Sequence, residues 1–350
     1  ERMNQAAARF PAEWEDQSAV LIAWPNADTD WAPRLDEVEG TYVELAAAIT
    51  RFQPLVICVR DAALEARLRG LLTARGVDLS RLRCVEAEYD DTWLRDSGPI
   101  TVRTADGFEL LDFRFTGWGG KFEASADDRL VEQLFAAGVF ASNAQRRRID
   151  FALEGGGIET DGAGSLLSTW HCLSERHPDR SRAEVTELLC RELRQDRVLW
   201  LDHGYLEGDD TDAHIDTLAR FASPSRIVYQ GCSDPADSHF DELATMGQEI
   251  AALRQSNGEP YEVFVLPWAQ PILDEGRRLA ASYANFLIIN GAVLMPAYGD
   301  PADAEAQAVL ARAFPDRQII ALPCRPLIWQ NGSLHCITMQ LPRGVLNEQV

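Results

Sequence analysis

The candidate chemistry of this chain centres on one cysteine near its end. Cys336 follows the glycine-containing turn at residues 330–333 and opens an apolar run, so its sulfur could lie at the lip of a strand. A thiolate in such a position is a nucleophile, whereas a cysteine taken at random is usually a small buried hydrophobe. Catalysis by Cys336 requires partners, and the chain has acidic and imidazole side chains far upstream.

His214 and Asp216 stand two residues apart at the start of an apolar run. If this segment is extended, both side chains point to the same face, because a strand has a period of two residues. The imidazole could then act as a general acid and base while the carboxylate holds a cationic substrate. A surface His–Asp pair explains the same two residues equally simply.

A metal site is a third interpretation of this segment. Oxygen and nitrogen ligands are dense here, at Asp209, Asp210, Asp212, His214 and Asp216. The sequence nevertheless lacks the glycine at the sixth position of a calcium loop, and it lacks a HExxH helix. We therefore predict a site without a metal.

Three further segments bring polar groups to turns. Asp96 precedes a Gly-Pro turn and follows Trp93, so it either caps the turn or holds a cation against an indole face. Glu154 precedes three glycines without the Lys-Ser/Thr pair of a phosphate loop, which favours a close backbone approach or a simple turn. Asn285 precedes a buried run and could merely satisfy backbone groups.

The charge of the chain narrows its partners. With 33 Lys and Arg against 55 Asp and Glu, the net charge is −22, and no basic cluster interrupts it. Nucleic acid and anionic membrane surfaces are therefore poor partners, and cationic small molecules are better ones, although a solvated acidic surface is a common cause of such a charge. The seven cysteines are scattered without a CxxC pair, which favours a reducing compartment. No apolar run has the length of a signal peptide or a membrane span, so we expect a cytoplasmic protein.

Apolar runs alternate with segments of helical periodicity, which predicts an α/β fold. The predicted strands cover residues 19–24, 55–59, 82–85, 108–115, 148–153, 166–170, 198–201, 226–229, 262–266, 286–295 and 318–322, and the predicted helices cover 35–51, 61–75, 127–137, 181–194, 237–255 and 302–314. Five strand–helix–strand units of this kind suggest a repeat packed around an axis, but an ordinary open α/β sheet gives the same alternation. With 46% hydrophobic residues and no linker, we predict one domain over residues 1–350.

The segments richest in Gly, Asp, His and Trp fall at the ends of the predicted strands, where α/β proteins build their sites. They cover residues 24–31, 90–98, 116–120, 154–162, 203–216 and 330–336.

Together these residues resemble the agmatine deiminase and Porphyromonas-type peptidylarginine deiminase family, within the guanidino-group-modifying superfamily. The resemblance rests on motifs in the same order over nearly the whole chain: FPAEWE at 10–15, WP at 24–25, DTW at 91–93, RD at 95–96 with GP at 98–99, LEGG at 153–156, HID at 214–216, Asn285 and HCIT at 335–338. It implies a five-bladed, pseudo-symmetric α/β propeller of the pentein type with its active site on the central axis.

The resemblance also implies a hydrolase that converts a guanidinium to a ureido group plus ammonia, without metal or cofactor. Cys336 would be the nucleophile, His214 the acid and base, and Asp96 and Asp216 the guanidinium-binding carboxylates. The further candidates for substrate binding are Trp93, Glu154, Asn285, Asp91, Trp118 and Glu159.

Agmatine is the expected substrate, with N-carbamoylputrescine as the product in putrescine and polyamine metabolism. The alternatives are a deiminase for free or peptidyl arginine and a non-catalytic binder of cationic amines on the same fold. Residues 330–333, where the family tends to have a glycine-rich run, contain a single glycine. The resemblance therefore leaves open which chemical group stands at the far end of the substrate. Glu159, Asp28 or Asp90 could hold the second cation of agmatine. A homodimer is the default assembly.

Overall fold

The computed structural model describes residues 8–348, where strands and helices alternate from beginning to end. The predicted domain, 1–350, extends at both ends to residues outside this part. Strands β1 to β18 are, in order, Gln17–Ala23, Leu55–Val59, Leu82–Glu86, Ile100–Arg103, Phe108–Arg114, Ala144–Ala152, Ile158–Thr160, Ser165–Thr169, Arg197–Leu201, Ala219–Ser223, Arg226–Gln230, Glu262–Leu266, Leu273–Asp274, Arg277–Arg278, Leu287–Ile289, Ala292–Ala297, Gln318–Pro323 and Met339–Pro342.

The helices that the argument uses are numbered α1 to α8. They are Leu35–Thr50, Ala62–Arg75, Leu94–Ser97, Leu130–Ala136, Trp170–Arg176, Arg182–Glu192, Phe240–Ala252 and Asp303–Ala313. Short 3-10 turns cover Gly155–Gly157, Ile215–Thr217 and His335–Ile337. The predicted α/β class is confirmed. No helix among the described residues combines the length and apolarity needed to cross a bilayer.

The strands form separate small sheets and not one open sheet. Within residues 8–348 the larger sheets have the orders β18-β1-β2-β3, β4-β5-β6, β7-β8-β9, β10-β11-β12 and β15-β16-β17, and β13 pairs with β14 in a hairpin. Each larger sheet begins with an antiparallel pair and continues with a parallel one. The predicted repetition is therefore present in the strand pairing.

Local sequence accounts for the main elements. β2 reads LVICV and is buried along its whole length, as expected of a parallel strand covered on both faces. Asp61 accepts a hydrogen bond from the Leu64 amide and caps α2, and Ser181 caps α6 in the same way through the Glu184 amide. The predicted helix and strand cores are found with shifts of a few residues at their ends.

The prediction of one strand over residues 286–295 is wrong, because this stretch is a hairpin of β15 and β16. Asn290 and Gly291 occupy its turn, and Asn-Gly is a strong hairpin signal that the continuous apolar run concealed. The antiparallel edge strands β4 and β7 were not predicted, and β10 and β18 were anticipated only as the apolar runs that follow His214 and Cys336. They are only three to five residues long, too short for periodicity to reveal them.

A fully buried arginine joins several sheets in the interior. Arg220, on β10, donates from Nε to Glu159 Oε2 and from Nη2 to Glu13 Oε2, both at 3.0 Å. Its Nη1 donates to the carbonyl oxygens of Ala284 at 2.9 Å and Phe286 at 2.5 Å. The guanidinium therefore neutralises two buried carboxylates and fixes the entry to β15.

Replacing Arg220 with methionine should destabilise the protein strongly, because Glu159 would lose its cationic partner in the interior and Glu13 would keep only His335 and Arg95. We expect the free energy of unfolding to fall by about 3–5 kcal/mol, the range for breaking a buried ion pair. Chemical denaturation measures this, with Arg325→Met at an exposed position as the matched control. Equal stability of the two variants would contradict the role of Arg220.

Candidate active site

The polar residues singled out in the sequence occupy equivalent points in the five larger sheets. Asp96, Glu154, Asp216, Asn285 and Cys336 lie two to four residues before the edge strands β4, β7, β10, β15 and β18, respectively. Each sheet therefore contributes one polar side chain from the segment that leads into its edge strand. Contacts among these side chains bring them into one cluster.

Cys336 lies in the 3-10 turn that precedes β18 and is 6% exposed. Its Sγ is 3.3 Å from Asn285 Oδ1 and 3.8 Å from Asp216 Oδ2. The same Asn285 oxygen accepts hydrogen bonds from the backbone amides of His335 and Cys336. Burial, together with the charges of Asp216 and Asp96, raises the pKa of the Cys336 thiol well above its usual range. Burial and these two carboxylates therefore favour the thiol over the thiolate in the free protein.

His214 immediately precedes the 3-10 turn Ile215–Thr217, which contains Asp216, so the two side chains do not share one face of a strand. Its Nε2 is 2.8 Å from Glu154 Oε1, while its Nδ1 lies 3.7 Å from Asp96 Oδ1 and makes no hydrogen bond within the described structure. The hydrogen bonds and charges of His214 and Arg176 outweigh burial and lower the pKa of Glu154 to about 2. Because Glu154 is an ionised acceptor, Nε2 carries a proton and Nδ1 faces the reaction space.

Asp96 and Asp216 flank the sulfur with different partners. Asp96 accepts hydrogen bonds from Trp118 Nε1 at 2.8 Å and from the Gly156 amide at 3.0 Å. Asp216 Oδ2 lies 2.9 Å from His335 Nδ1, whereas its Oδ1 is buried without a hydrogen bond from any described residue. Gly156 is required beside them, because a Cβ there would lie 2.7 Å from Asp96 Oδ1.

Burial and neighbouring charges shift the pKa values of these groups in different directions. Burial and the charges of Asp216 and Glu154 raise the pKa of Asp96 to about 6, although His214 opposes the shift. Burial disfavours ionisation of Asp216 as well, but the hydrogen bond and charge of His335 lower its pKa below the usual value. Burial would lower the pKa of His214, yet Asp96, Cys172 and Glu154 raise it well above its usual value. The result is a protonated His214 imidazole surrounded by carboxylates.

The cluster opens into a cavity of about 490 Å³. Acidic side chains dominate its lining, at Asp28, Asp30, Asp90, Asp91, Asp96, Glu123, Asp127, Asp209 and Asp210. Trp93, Trp118, His214 and Cys336 also face it, and among its described lining residues Lys121 is the single basic side chain. Burial raises the pKa of Asp91 to about 7, so part of this negative charge develops near neutral pH.

Three of the predicted substrate-binding residues do not line this cavity in the described structure. Glu159 pairs with Arg220 and accepts the Phe221 amide, so the expectation that it holds the distal cation is corrected. Sequence could not reveal this, because the partner of Glu159 lies 61 residues away. Glu154 and Asn285 lie behind His214 and Cys336 and orient them.

The segment at residues 330–333 is tightly held. Gly332 packs on the indole of Trp93, and a Cβ there would lie 2.3 Å from the ring. Asn331 donates to Asp210 at 2.7 Å, and the Ser333 hydroxyl lies 2.9 Å from the Tyr298 hydroxyl. The departure from a glycine-rich run therefore adds fixed polar contacts at the cavity wall.

No role was assigned from the sequence to three residues that support the site, His335, Glu13 and Arg176. His335 lies between Asp216 and Glu13, 2.6 Å from Glu13 Oε1, and Arg176 donates to Glu154. The position of His335 beside the candidate nucleophile was an available signal. Arg176 is 38 residues from His214, and nothing in its own helix marks it.

Ligand atoms of Glu154, Cys172 and His214 lie within 4.8 Å of one another, close enough for a metal ion. Arg176, however, donates to both oxygens of Glu154, at 2.8 to 3.2 Å. A metal cation bound to this carboxylate would be adjacent to the guanidinium and strongly repelled. The donor set therefore does not fit a metal.

The arrangement suits attack on a planar cation. Two carboxylates can accept N–H groups from opposite edges of such a cation and hold its central carbon against the sulfur. His214 Nδ1 is available to exchange a proton with a leaving group or a water.

Comparison with known proteins agrees with this geometry. Residues 9–342 match the model of the Porphyromonas-type peptidyl-arginine deiminase family. A relative, the agmatine deiminase of Pseudomonas putida, is 33% identical over an alignment of 360 positions that covers 96% of each chain.

Solved structures extend the comparison to the fold. A candidate arginine deiminase from Porphyromonas gingivalis is 44% identical, with a TM-score of 0.91 over 97% of this chain and 100% of that one. The agmatine deiminase of C. jejuni, solved as a cysteine-to-serine variant with substrate bound, is 31% identical, with a TM-score of 0.88 over 96% and 97%. The chain therefore belongs to the Porphyromonas-type peptidyl-arginine deiminase family, a family of guanidinium-hydrolysing enzymes.

Proposed function

We propose that the protein is a hydrolase that converts agmatine and water to N-carbamoylputrescine and ammonia. The observation that carries this proposal is the convergence of Cys336, His214 and Asp96 on one acidic cavity, with Asp216 Oδ2 3.8 Å from the Cys336 sulfur. The agmatine deiminases of P. putida and C. jejuni among the relatives support the same substrate.

The first half of the reaction begins with substrate binding. The guanidinium lies between Asp96 and Asp216, and its positive charge offsets the charges that keep the Cys336 thiol protonated. The thiol then releases its proton to solvent, and the thiolate attacks the guanidinium carbon. His214 donates the proton on Nδ1 to one nitrogen of the tetrahedral adduct. The C–N bond breaks, ammonia departs, and a cationic S-alkylthiouronium remains.

The second half uses the now neutral His214. A water occupies the space left by ammonia and gives a proton to Nδ1 while its oxygen attacks the thiouronium carbon. The C–S bond breaks, the ureido product forms, and its surplus proton passes to ammonia or solvent. Cys336 leaves as thiolate and takes up a proton from solvent once the product departs, and His214 is again protonated, so the starting state of the site is restored.

The charge of the cavity favours a primary ammonium over a carboxylate on the substrate. Its described lining carries several Asp side chains, and its one lysine, Lys121, already pairs with Asp212 at 2.6 Å. The α-carboxylate of free arginine would find repulsion here without a compensating cation. The 44% identity to a candidate arginine deiminase makes arginine, free or in a peptide, the second candidate substrate.

We infer further that the five larger sheets are the blades of one pseudo-symmetric α/β propeller, with the catalytic residues on its axis. Residues 1–350 would form this single domain. The repeated strand order and the equivalent positions of the five polar residues support this arrangement.

Turnover of a panel of guanidines tests the proposal. We expect ammonia and ureido product in equal amounts from agmatine without added metal, and kcat/KM for free arginine lower by a factor of order 100 or more, since like charges juxtaposed at a binding site cost several kcal/mol. Cys336→Ala should lose turnover, whereas Cys232→Ala, away from the cavity, should retain it. Preference for arginine or a peptide would reject agmatine as the substrate, and turnover by Cys336→Ala would reject the nucleophile.

The ionisation of Cys336 gives a second test. Because burial, Asp216 and Asp96 raise the pKa of this thiol, we expect no thiolate at pH 7 in the absence of substrate. The ultraviolet absorbance difference between the wild type and Cys336→Ala measures the thiolate as pH rises, and Cys232→Ala serves as the control. A thiolate already present at pH 7 would mean that the free enzyme does not wait for a bound cation.

A further inference from the structure

A basic residue outside the reaction space links the catalytic histidine to the cavity wall. Arg176 ends α5, and its side chain is 2% exposed. It donates from Nε and Nη2 to Glu154, from Nη1 to Asp212 Oδ2 at 2.6 Å, and from Nη2 to the Thr211 carbonyl at 3.0 Å. One guanidinium therefore joins the acceptor of His214 to the loop at residues 209–213.

The same loop is fastened to the opposite wall of the cavity. Lys121 Nζ donates to Asp212 Oδ2 at 2.6 Å and to the carbonyl oxygen of Trp118 at 2.9 Å. The indole of Trp118 donates in turn to Asp96, a candidate guanidinium-binding carboxylate. Asp212 thus pairs with two cations: Arg176, which also binds Glu154 beside His214, and Lys121, which also binds the Trp118 carbonyl.

Backbone conformation indicates that these contacts hold the two segments in place. Asp212 and Ala213 have φ of 64° and 68°, and Trp118 has φ of 60°. Left-handed torsions at residues other than glycine cost of order 1–3 kcal/mol each and persist only where surrounding contacts impose them. Here Arg176 and Lys121 supply such contacts on both sides of the cavity.

We propose that Arg176, Asp212 and Lys121 form a positioning latch for the deimination reaction. Arg176 holds Glu154 so that His214 presents Nδ1 to the substrate, and Lys121 holds the Trp118 segment against the cavity. The latch rests on the proposed function and adds residues that contact neither the sulfur nor the guanidinium.

The two arms of the latch should have different kinetic signatures. Loss of the Arg176 charge leaves the Glu154–His214 pair with a greater affinity for protons, so the acidic limb of the kcat profile should move to higher pH. The titratable or charged groups that face this pair are Arg176, Asp96, Asp216, Cys172 and Asp209. Loss of Lys121 loosens the Trp118 segment and should raise KM with a smaller effect on kcat.

The experiment compares kcat, KM and their pH profiles for agmatine in the wild type, Arg176→Gln, Arg176→Lys and Lys121→Met. For Arg176→Gln we expect kcat to fall by about 10- to 100-fold, part of the 10²–10⁴ that general acid–base catalysis supplies. Arg176→Lys should restore the acidic limb but only part of kcat, because an ammonium keeps the charge and loses the paired hydrogen bonds. Arg180→Gln, at an exposed arginine four residues later, is the matched control and should match the wild type.

The outcomes separate the latch from the proposed function. If the wild type does not turn over agmatine, the proposed substrate fails. If the wild type is active and Arg176→Gln has the same kcat and pH profile as the wild type, the latch is overturned. Should Arg176→Gln not fold, Arg176→Lys and Lys121→Met decide, and wild-type kcat, KM and pH profile in both would equally overturn the latch.

Discussion

The cost of burying carboxylates governs this structure. Asp96, Glu154 and Asp216 are at most 5% exposed, and an unpaired charge in such surroundings costs several kcal/mol. Arg176 compensates Glu154, and His335 compensates Asp216. The described residues that line the cavity with Cys336 supply a protonated imidazole and one lysine, Lys121, which Asp212 already neutralises, so a planar cation completes the electrostatics of the site.

This deficit links binding to reactivity. In the proposed mechanism, the carboxylates that attract the guanidinium also raise the pKa of the Cys336 thiol, so the thiolate forms when the substrate charge arrives. A thiolate present without bound substrate would be open to oxidation and alkylation, whereas a buried thiol is comparatively inert. Specificity and protection of the nucleophile therefore have the same electrostatic origin.

Repetition explains how residues distant in sequence meet. Each of the five larger sheets contributes one polar residue just before its edge strand, from Asp96 to Cys336. Rigid strands define where each lead-in segment starts, and the short turns at Gly155–Gly157, Ile215–Thr217 and His335–Ile337 aim the side chains. Sites built on such a frame hold their geometry more closely than sites on long free loops.

The sequence by itself determined the α/β alternation and most helix and strand positions, because periodicity is local, and its motif order identified the candidate site residues. Only the tertiary structure decided which acids line the cavity and which are paired with arginines in the interior. Glu159 and Glu13 both pair with Arg220, and Glu154 pairs with Arg176. Nothing near these glutamates in sequence indicates such partners. A carboxylate acts according to the charge beside it in space, and that neighbour exists only once the sheets have packed.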